Sequence, residues 1–249
     1  MLRKLLGSIA RRTLPKPVLA AYRNHRAARR STEDVFTQIY SRNEWGGRPG
    51  EFYSGSGTAY TVVAAPYVAN LVRELTNLQA ERLRVVDLGC GDFRIGRQLA
   101  PACAAYVGVD IVHPLVSYNQ RMFGSETVSF VHANIIEDPL PPGDICVVRQ
   151  VLQHLSNAQI LAVLPKLNQY RWCFITEHHP SDSRFLAANL DKTHGRDIRL
   201  TEGSGVYLDA PPFNIPRAHL RLLFELAGPL DLGNGDAGII RTYLYSPTG

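Results

Sequence analysis

The sequence predicts an α/β fold, with a doubly wound, mostly parallel sheet behind a helical cap. Two observations carry that prediction. From Leu83 onward, short apolar runs alternate with stretches able to form helices, the pattern of parallel strands joined by helical crossovers. The first run, Leu83 to Leu88, passes directly into a glycine turn, Gly89-Cys90-Gly91, and then into a helix candidate, Ile95 to Cys103. A length of 249 residues suits one such domain with a sizeable core and appendages.

Taken in order, residues 1–30 form a basic arm. Leu2, Leu5, Leu6 and Ile9 fall on one helical stripe, and Pro15 and Pro17 break it. Residues 31–80 form an N-terminal helical cap or lid. Within it Thr61 to Leu78 reads as an amphipathic helix, with Val68, Leu71, Val72, Leu75 and Leu78 on its apolar side. Residues 81–249 form the main domain. Its strands are Leu83–Leu88, Ala105–Asp110, Val128–Ala133, Asp144–Arg149 and Trp172–Thr176. Its further helices are Pro114–Phe123, Asn157–Asn168 with Ser156 as N-cap, and Pro216–Ala227. A polar excursion, 180–215, reads as a substrate-side insertion. The chain closes with Leu230–Leu232, a turn at Asn234-Gly235-Asp236, and an apolar run from Ile239 to Tyr245.

The glycine turn decides between two nucleoside-like ligands. Glycines let a ligand press against backbone, and the helix start beyond offers unpaired N–H groups. A dinucleotide site wants Gly-x-Gly-x-x-Gly. Here Arg94 holds the third glycine's place, and Gly96 comes two residues late. Asp87, just before the turn, has no use to a diphosphate. It suits S-adenosylmethionine, which is cationic at sulfur and carries an amino group. Asp110 ends the second strand 19 residues after Gly91. Its carboxylate can accept both ribose hydroxyls of either ligand; the plain alternative is a helix cap before Pro114.

Val85-Val86-Asp87-Leu88-Gly89-Cys90-Gly91 resembles the first motif of class I S-adenosylmethionine-dependent methyltransferases. The resemblance implies a Rossmann-like, seven-stranded sheet, parallel except for an antiparallel C-terminal hairpin. It implies S-adenosyl-L-methionine as cofactor, held by Asp87, Gly89, Cys90, Gly91, Asp110 and Ile111. Asn134, after the third strand, stands where the family places a side chain on the adenine amino group, often Asp; Asn is also a common turn residue. Gln150 opens the segment Gln150-Val151-Leu152-Gln153-His154-Leu155, which resembles the family's wall for the methionine end and the methyl acceptor. Upstream, Trp45-Gly46-Gly47 and Tyr53-Ser54-Gly55-Ser56-Gly57-Thr58 suit a loop folding over the cofactor, with Tyr53 on the methionine end, or a flexible linker.

Methyl transfer needs alignment of the acceptor, and for a hydroxyl also a base. His154 and His178 are the candidate bases, with Glu177 as orienter or alternative base. His154 could instead cap the next helix, and Glu177 could be a solvated loop residue. Asp209-Ala210-Pro211-Pro212-Phe213 resembles a motif of enzymes that methylate nucleic-acid bases, but that motif belongs after the fourth strand, where this chain reads Arg149-Gln150-Val151-Leu152.

The net charge of +5 sits in the arm. Residues 1–30 hold nine of the 27 basic residues and no acid, which leaves 18 basic against 22 acidic in the body. A mildly acidic body argues against a specific nucleic-acid surface. The expected partner is a small-molecule or glycan methyl acceptor, with transfer to oxygen or nitrogen. The arm offers a peripheral membrane or protein contact. Four cysteines without Cys-x-x-Cys spacing read as reduced thiols, and no apolar run has the length of a membrane span. The cytoplasm, with the arm able to touch a membrane surface, is the expected location. Two other readings stand beside this one: a non-catalytic scaffold that binds an adenosine ligand, and an RNA or protein methyltransferase using the arm.

Overall fold

The structure is a computed structural model, and it describes residues 30–229 and 237–247. The stripe and proline hinge of the arm, the strand expected at 230–232 and the turn at 234–236 lie outside the described residues.

Seven strands form one sheet: β1 (Arg84–Leu88), β2 (Ala105–Asp110), β3 (Val128–His132), β4 (Ile145–Arg149), β5 (Trp172–His179), β6 (Leu220–Ala227) and β7 (Ile239–Tyr245), in the order β3-β2-β1-β4-β5-β7-β6. The first five are parallel; β7 runs antiparallel to β5 and to β6. Strand order therefore reverses between β1 and β4. In an open α/β sheet a crevice opens there, at the carboxyl ends of the strands.

Each face of the sheet carries its own core. On one face lies α2 (Thr61–Asn77), which turns Tyr67, Leu71 and Leu75 inward with no exposure, at the spacing of one helical face. They pack with Val85, Ile145 and Phe174. On the other face Val86, Val148 and Leu152 pack with Val35, Phe36 and Ile39 of α1 (Thr32–Ser41) and with Ile160 and Val163 of α4 (Asn157–Val163). The intervening helix α3 (His113–Phe123) connects β2 to β3. Ser156 caps α4 as expected and forms a capping box with Gln159.

Three expectations are corrected. Pro216–Ala227 is not a helix: after a single turn at Arg217–His219 it is strand β6. Its leucines look helical because a bulge between Leu222 and Phe224 shifts their alternation. The hairpin partner of β7 is therefore Leu220–Ala227. Strand β5 does not stop at Thr176. It pairs with β7 as far as His179 opposite Ile239, so Glu177, His178 and His179 are buried strand residues, not a loop. The helices at 95–103 and 157–168 tighten into 3₁₀ turns at Ala100–Ala102 and Leu164–Gln169, where Pro101 and Pro165 enter.

Candidate active site

A cavity of about 490 Å³ opens above the carboxyl ends of β1, β2 and β4. Its floor is the glycine turn. Gly89 (φ +76°) and Cys90 both donate their N–H to the Val109 carbonyl, at 2.7 and 3.0 Å. Gly91 (φ +56°) donates its N–H to Asp110 Oδ2 at 3.1 Å, and its carbonyl accepts from Asn119 at 2.8 Å. A Cβ on Gly89 would lie 2.5 Å from the Val151 side chain, and one on Gly91 would lie 3.0 Å from Ser54 Cβ. Only glycine keeps this floor flat.

Two buried carboxyls flank the turn. Asp110 also accepts the Val112 N–H at 3.0 Å. Both its oxygens hold backbone in place, and each keeps a lone pair for a ligand. Burial pushes its carboxyl above the usual range, against the pull of those N–H groups. Asp87 accepts the Tyr106 hydroxyl at 2.8 Å. Burial raises its pKa to about 7; the Tyr106 hydrogen bond and the charge of Arg149 act the other way.

Cys90, Ile111, Asn134 and Gln150 line the same cavity. Asn134 is also a turn residue: its Oδ1 accepts the Ile136 N–H at 3.0 Å, and its own N–H donates to Asp138 at 2.8 Å. Gln150 adopts φ +55° and donates its N–H to the Thr176 carbonyl at 2.7 Å, which turns the chain after β4 into the site.

His154 forms part of the wall. Its Nδ1 donates to the Gly195 carbonyl at 3.0 Å, so the neutral ring carries its lone pair on Nε2. Trp45 and Phe36 pack on it at ring distances of 5.2 and 6.4 Å. Burial, then the nearby Lys192, lowers its pKa to about 3, and the ring is neutral at ordinary pH. His178 also reaches the cavity, but its Nε2 donates to the Ala237 carbonyl at 2.7 Å.

Two expected site residues lie elsewhere. Glu177 is 2% exposed and does not line the cavity. Its oxygens accept the N–H groups of Leu152 and Gln153 at 2.9 and 3.1 Å, so it braces the turn that carries His154. Tyr53 points away too: its ring packs against Gly46 and Gly47 beneath the Arg94 guanidinium. Its neighbour Ser54 faces the cavity instead. Ser54 donates its N–H to Asp92 at 3.0 Å, accepts the Asp92 N–H on Oγ at 2.7 Å and meets the Tyr40 hydroxyl at 2.8 Å. Those bonds fasten the cap to the glycine turn.

Tyr40 and Arg149, which no sequence motif marks, also line the cavity. The excursion adds Arg196, Asp197, Ile198 and Thr201 to the wall. Among the described residues no group of His, Cys, Asp and Glu could hold a metal ion, and no helix is long and apolar enough to cross a membrane.

The donor set fits S-adenosylmethionine. A backbone floor accepts a close nucleoside, Asp110 has acceptor capacity for ribose hydroxyls, and Asp87 offers a carboxylate to an ammonium.

A family model described as a methyltransferase domain matches residues 85–170. No curated protein matches the sequence. Among solved structures, the Burkholderia thailandensis 1,6-didemethyltoxoflavin-N1-methyltransferase, with bound 1,6-didemethyltoxoflavin and S-adenosylhomocysteine, is 19% identical. It aligns over 86% of this chain and 87% of its own, with a TM-score of 0.56. The magnesium protoporphyrin IX methyltransferase of Synechocystis PCC 6803, with bound S-adenosylmethionine, is 15% identical over 88% of this chain and 99% of its own, with a TM-score of 0.52. At these identities the likeness is one of fold. The domain match begins in β1 and ends just before β5, the stretch that supplies the glycine turn, Asp110 and the wall after β4. Residues 85–170 thus match a methyltransferase domain, and the chain has the fold of S-adenosylmethionine-dependent methyltransferases.

Proposed function

We propose that the enzyme methylates a hydroxyl oxygen of a small molecule, with His154 taking the acceptor's proton. The observation that carries this reading is the placement of the His154 ring: neutral, oriented by the Gly195 carbonyl, and set in the cavity wall. Burial makes the ring a weak base, which suffices only because a hydroxyl becomes strongly acidic as its oxygen takes the methyl group. The bound cofactor supplies a methyl group already activated by its sulfonium. The protein's part is alignment, which can supply about 7–11 kcal/mol in favourable geometries, and proton removal. Trp45 and Phe36 against His154 make an apolar wall suited to a ring-bearing acceptor. The cap and the excursion meet above the site: Trp45 Nε1 donates to the Arg196 carbonyl at 3.4 Å, and Arg196 donates to the Glu44 carbonyl at 3.1 Å. A cavity roofed in this way favours a small acceptor over a polymer.

A labelled-methyl transfer screen on cell extracts identifies the acceptor. With it in hand, His154→Ala should lower kcat about 10²–10⁴-fold and leave cofactor affinity within about twofold. Undiminished turnover of a hydroxyl acceptor in His154→Ala refutes the base, and a product methylated on nitrogen refutes the oxygen acceptor.

A further inference from the structure

We propose that the tip of the excursion, Phe185 and Leu186 with Leu190, is a membrane-contact face that acts together with the basic arm. The arm draws the protein to an anionic lipid surface, and the tip enters it.

Exposed loop tips are ordinarily small and polar. Here Leu186 is 76% exposed, Phe185 43% and Leu190 37%. Singly exposed leucines need no explanation, but these three lie together. Leu186 donates its N–H to the Gly203 carbonyl at 2.8 Å, and Leu190 donates its N–H to Ser204 Oγ at 3.0 Å, so both are laced to one stretch of backbone. The Phe185 ring leans on Tyr207 at 5.5 Å. Between the leucines, Asn189 is buried and donates its Nδ2 to the carbonyls of Tyr207 and Pro211 at 2.9 and 2.8 Å. The polar residue of this segment is thus turned inward and the apolar ones outward, on a braced scaffold.

The arm leaves the fold beside this face. Asn157, the first residue of α4, donates its N–H to Asp191 Oδ1 at 2.7 Å and its Nδ2 to the Asn189 carbonyl at 2.8 Å, and Leu190 lies between those two partners. Gln159, two residues on, donates its Nε2 to Thr32 Oγ1 at 3.0 Å and meets His194 Nδ1 at 3.2 Å. The start of α1, the start of α4 and the excursion therefore meet at one place, and the described chain begins there, at Arg30. Residues 1–30 carry nine basic residues and no acid. The tip has no such charge of its own: Asp182, Asp191 and Glu202 outnumber Arg184 and Lys192 along it. Attraction to anionic headgroups must come from the arm. A short apolar insertion and a polybasic segment are each weak alone and hold a protein at a membrane together.

The test is sedimentation of the full chain with sucrose-loaded vesicles, either of phosphatidylcholine alone or of phosphatidylcholine mixed equally with phosphatidylglycerol. The wild type should partition onto the mixed vesicles at least about tenfold more strongly than onto the neutral ones, and raised salt should weaken that binding. The double change Phe185→Ser and Leu186→Ser should weaken it about 10- to 100-fold and leave cofactor affinity unchanged. Leu186→Trp gives a readout that needs no loss of binding. Brominated acyl chains should quench its fluorescence beyond any quenching of Trp45 and Trp172 in the wild type. The proposal is overturned if the wild type does not bind mixed vesicles, if salt or the serine changes leave binding as it was, or if Leu186→Trp shows no added quenching. It is overturned too if ultracentrifugation shows a wild-type dimer that the serine changes abolish, since the face then joins two copies of the chain. None of these outcomes touches the methyltransferase reading, which cofactor binding tests separately.

Discussion

Replacing Arg199 with methionine should destabilise the protein by about 3–5 kcal/mol, because it strips the shared donor from several buried acceptors at about 1–3 kcal/mol each. Arg199 is 1% exposed, although it belongs to the excursion. Its Nε donates to the Leu190 carbonyl at 3.0 Å, its Nη1 to the carbonyls of Leu152 and Gln153 at 3.2 and 3.4 Å, and its Nη2 to Asn157 Oδ1 at 2.8 Å. Methionine fills the volume of the stem but leaves four acceptors without that donor. Glu177 accepts the N–H groups of the same two residues, Leu152 and Gln153, so the pair brackets the turn leading to His154. For a chain of this size, about 2–4 °C per kcal/mol puts the melting temperature about 6–20 °C lower. The pH dependence gives a second readout. Burial raises the Glu177 pKa to about 8, while the backbone donors and Arg199 hold it down. A carboxyl raised in the folded state stabilises fully below its unfolded pKa, and that stability is lost as pH rises to the folded value. In the wild type this loss ends near pH 8. Without Arg199 the folded value lies higher, and the loss continues above pH 8 at up to about 1.4 kcal/mol per unit. Urea melts at pH 6, 7 and 9 should therefore show a gap between variant and wild type that is constant at the lower two and wider at 9. A gap under about 1 kcal/mol at pH 7, or one that does not widen, refutes this account of the bracket.

Asp110→Ala should weaken S-adenosylhomocysteine binding by about 1–3 kcal/mol, since ribose hydroxyls and the Gly91 N–H all lose an acceptor; unchanged affinity in calorimetry removes Asp110 from the site. Gly91→Ala sets a side chain at φ +56° against Ser54, so cofactor affinity should fall at least about tenfold, given about 1–3 kcal/mol of backbone strain; ordinary affinity would mean that the floor is not the contact surface. His179→Phe addresses acid stability. His179 is 1% exposed, packs on the Tyr207 ring at 4.8 Å, and among the described residues finds no partner for either ring nitrogen. Burial lowers its pKa to about 3, so wild-type stability falls as pH drops below about 6.5, where the unfolded histidine takes a proton. The phenylalanine variant should be relatively more stable by up to about 1.4 kcal/mol per unit below pH 6.5; parallel melting curves at pH 5 and 8 contradict this.

The parts of the molecule readable from sequence are those fixed by neighbours in the chain. Strand β1, the glycine turn and Asp110 announce themselves because a turn needs glycine where its φ is positive, and a ligand needs an acid at a strand end. Strand β6 reads as a helix from sequence because its identity depends on β7, which begins twelve residues after β6 ends. A bulge hid its alternation, and local pattern then favoured a helix. Glu177 looked like a loop residue for the same reason: only pairing with Arg241 on β7 extends β5 past Thr176. Tyr53 and Ser54 differ by one position in an irregular segment, where no periodicity says which of the two faces inward.

That division has a consequence for the site. On the proposed reading, the half that takes the adenosine is made by consecutive residues around β1 and β2. The half proposed for the methionine end and the acceptor is assembled from distant segments: Ser54 and Gly57 of the cap, Arg149 and His154 after β4, and Gly195 to Arg199 of the excursion. Substitutions in the first half should therefore act on cofactor affinity directly. Those in the second act through contacts such as Gly195 on His154 and Arg199 on the turn before it, which fix where the acceptor stands relative to the methyl group. A hydrogen bond of 3.0 Å from His154 to Gly195 couples the proposed base to the excursion, so changes in the excursion that touch no ligand should lower kcat before they alter cofactor binding. On that reading the acceptor is selected where the sequence is least regular, and the cofactor where it is most regular.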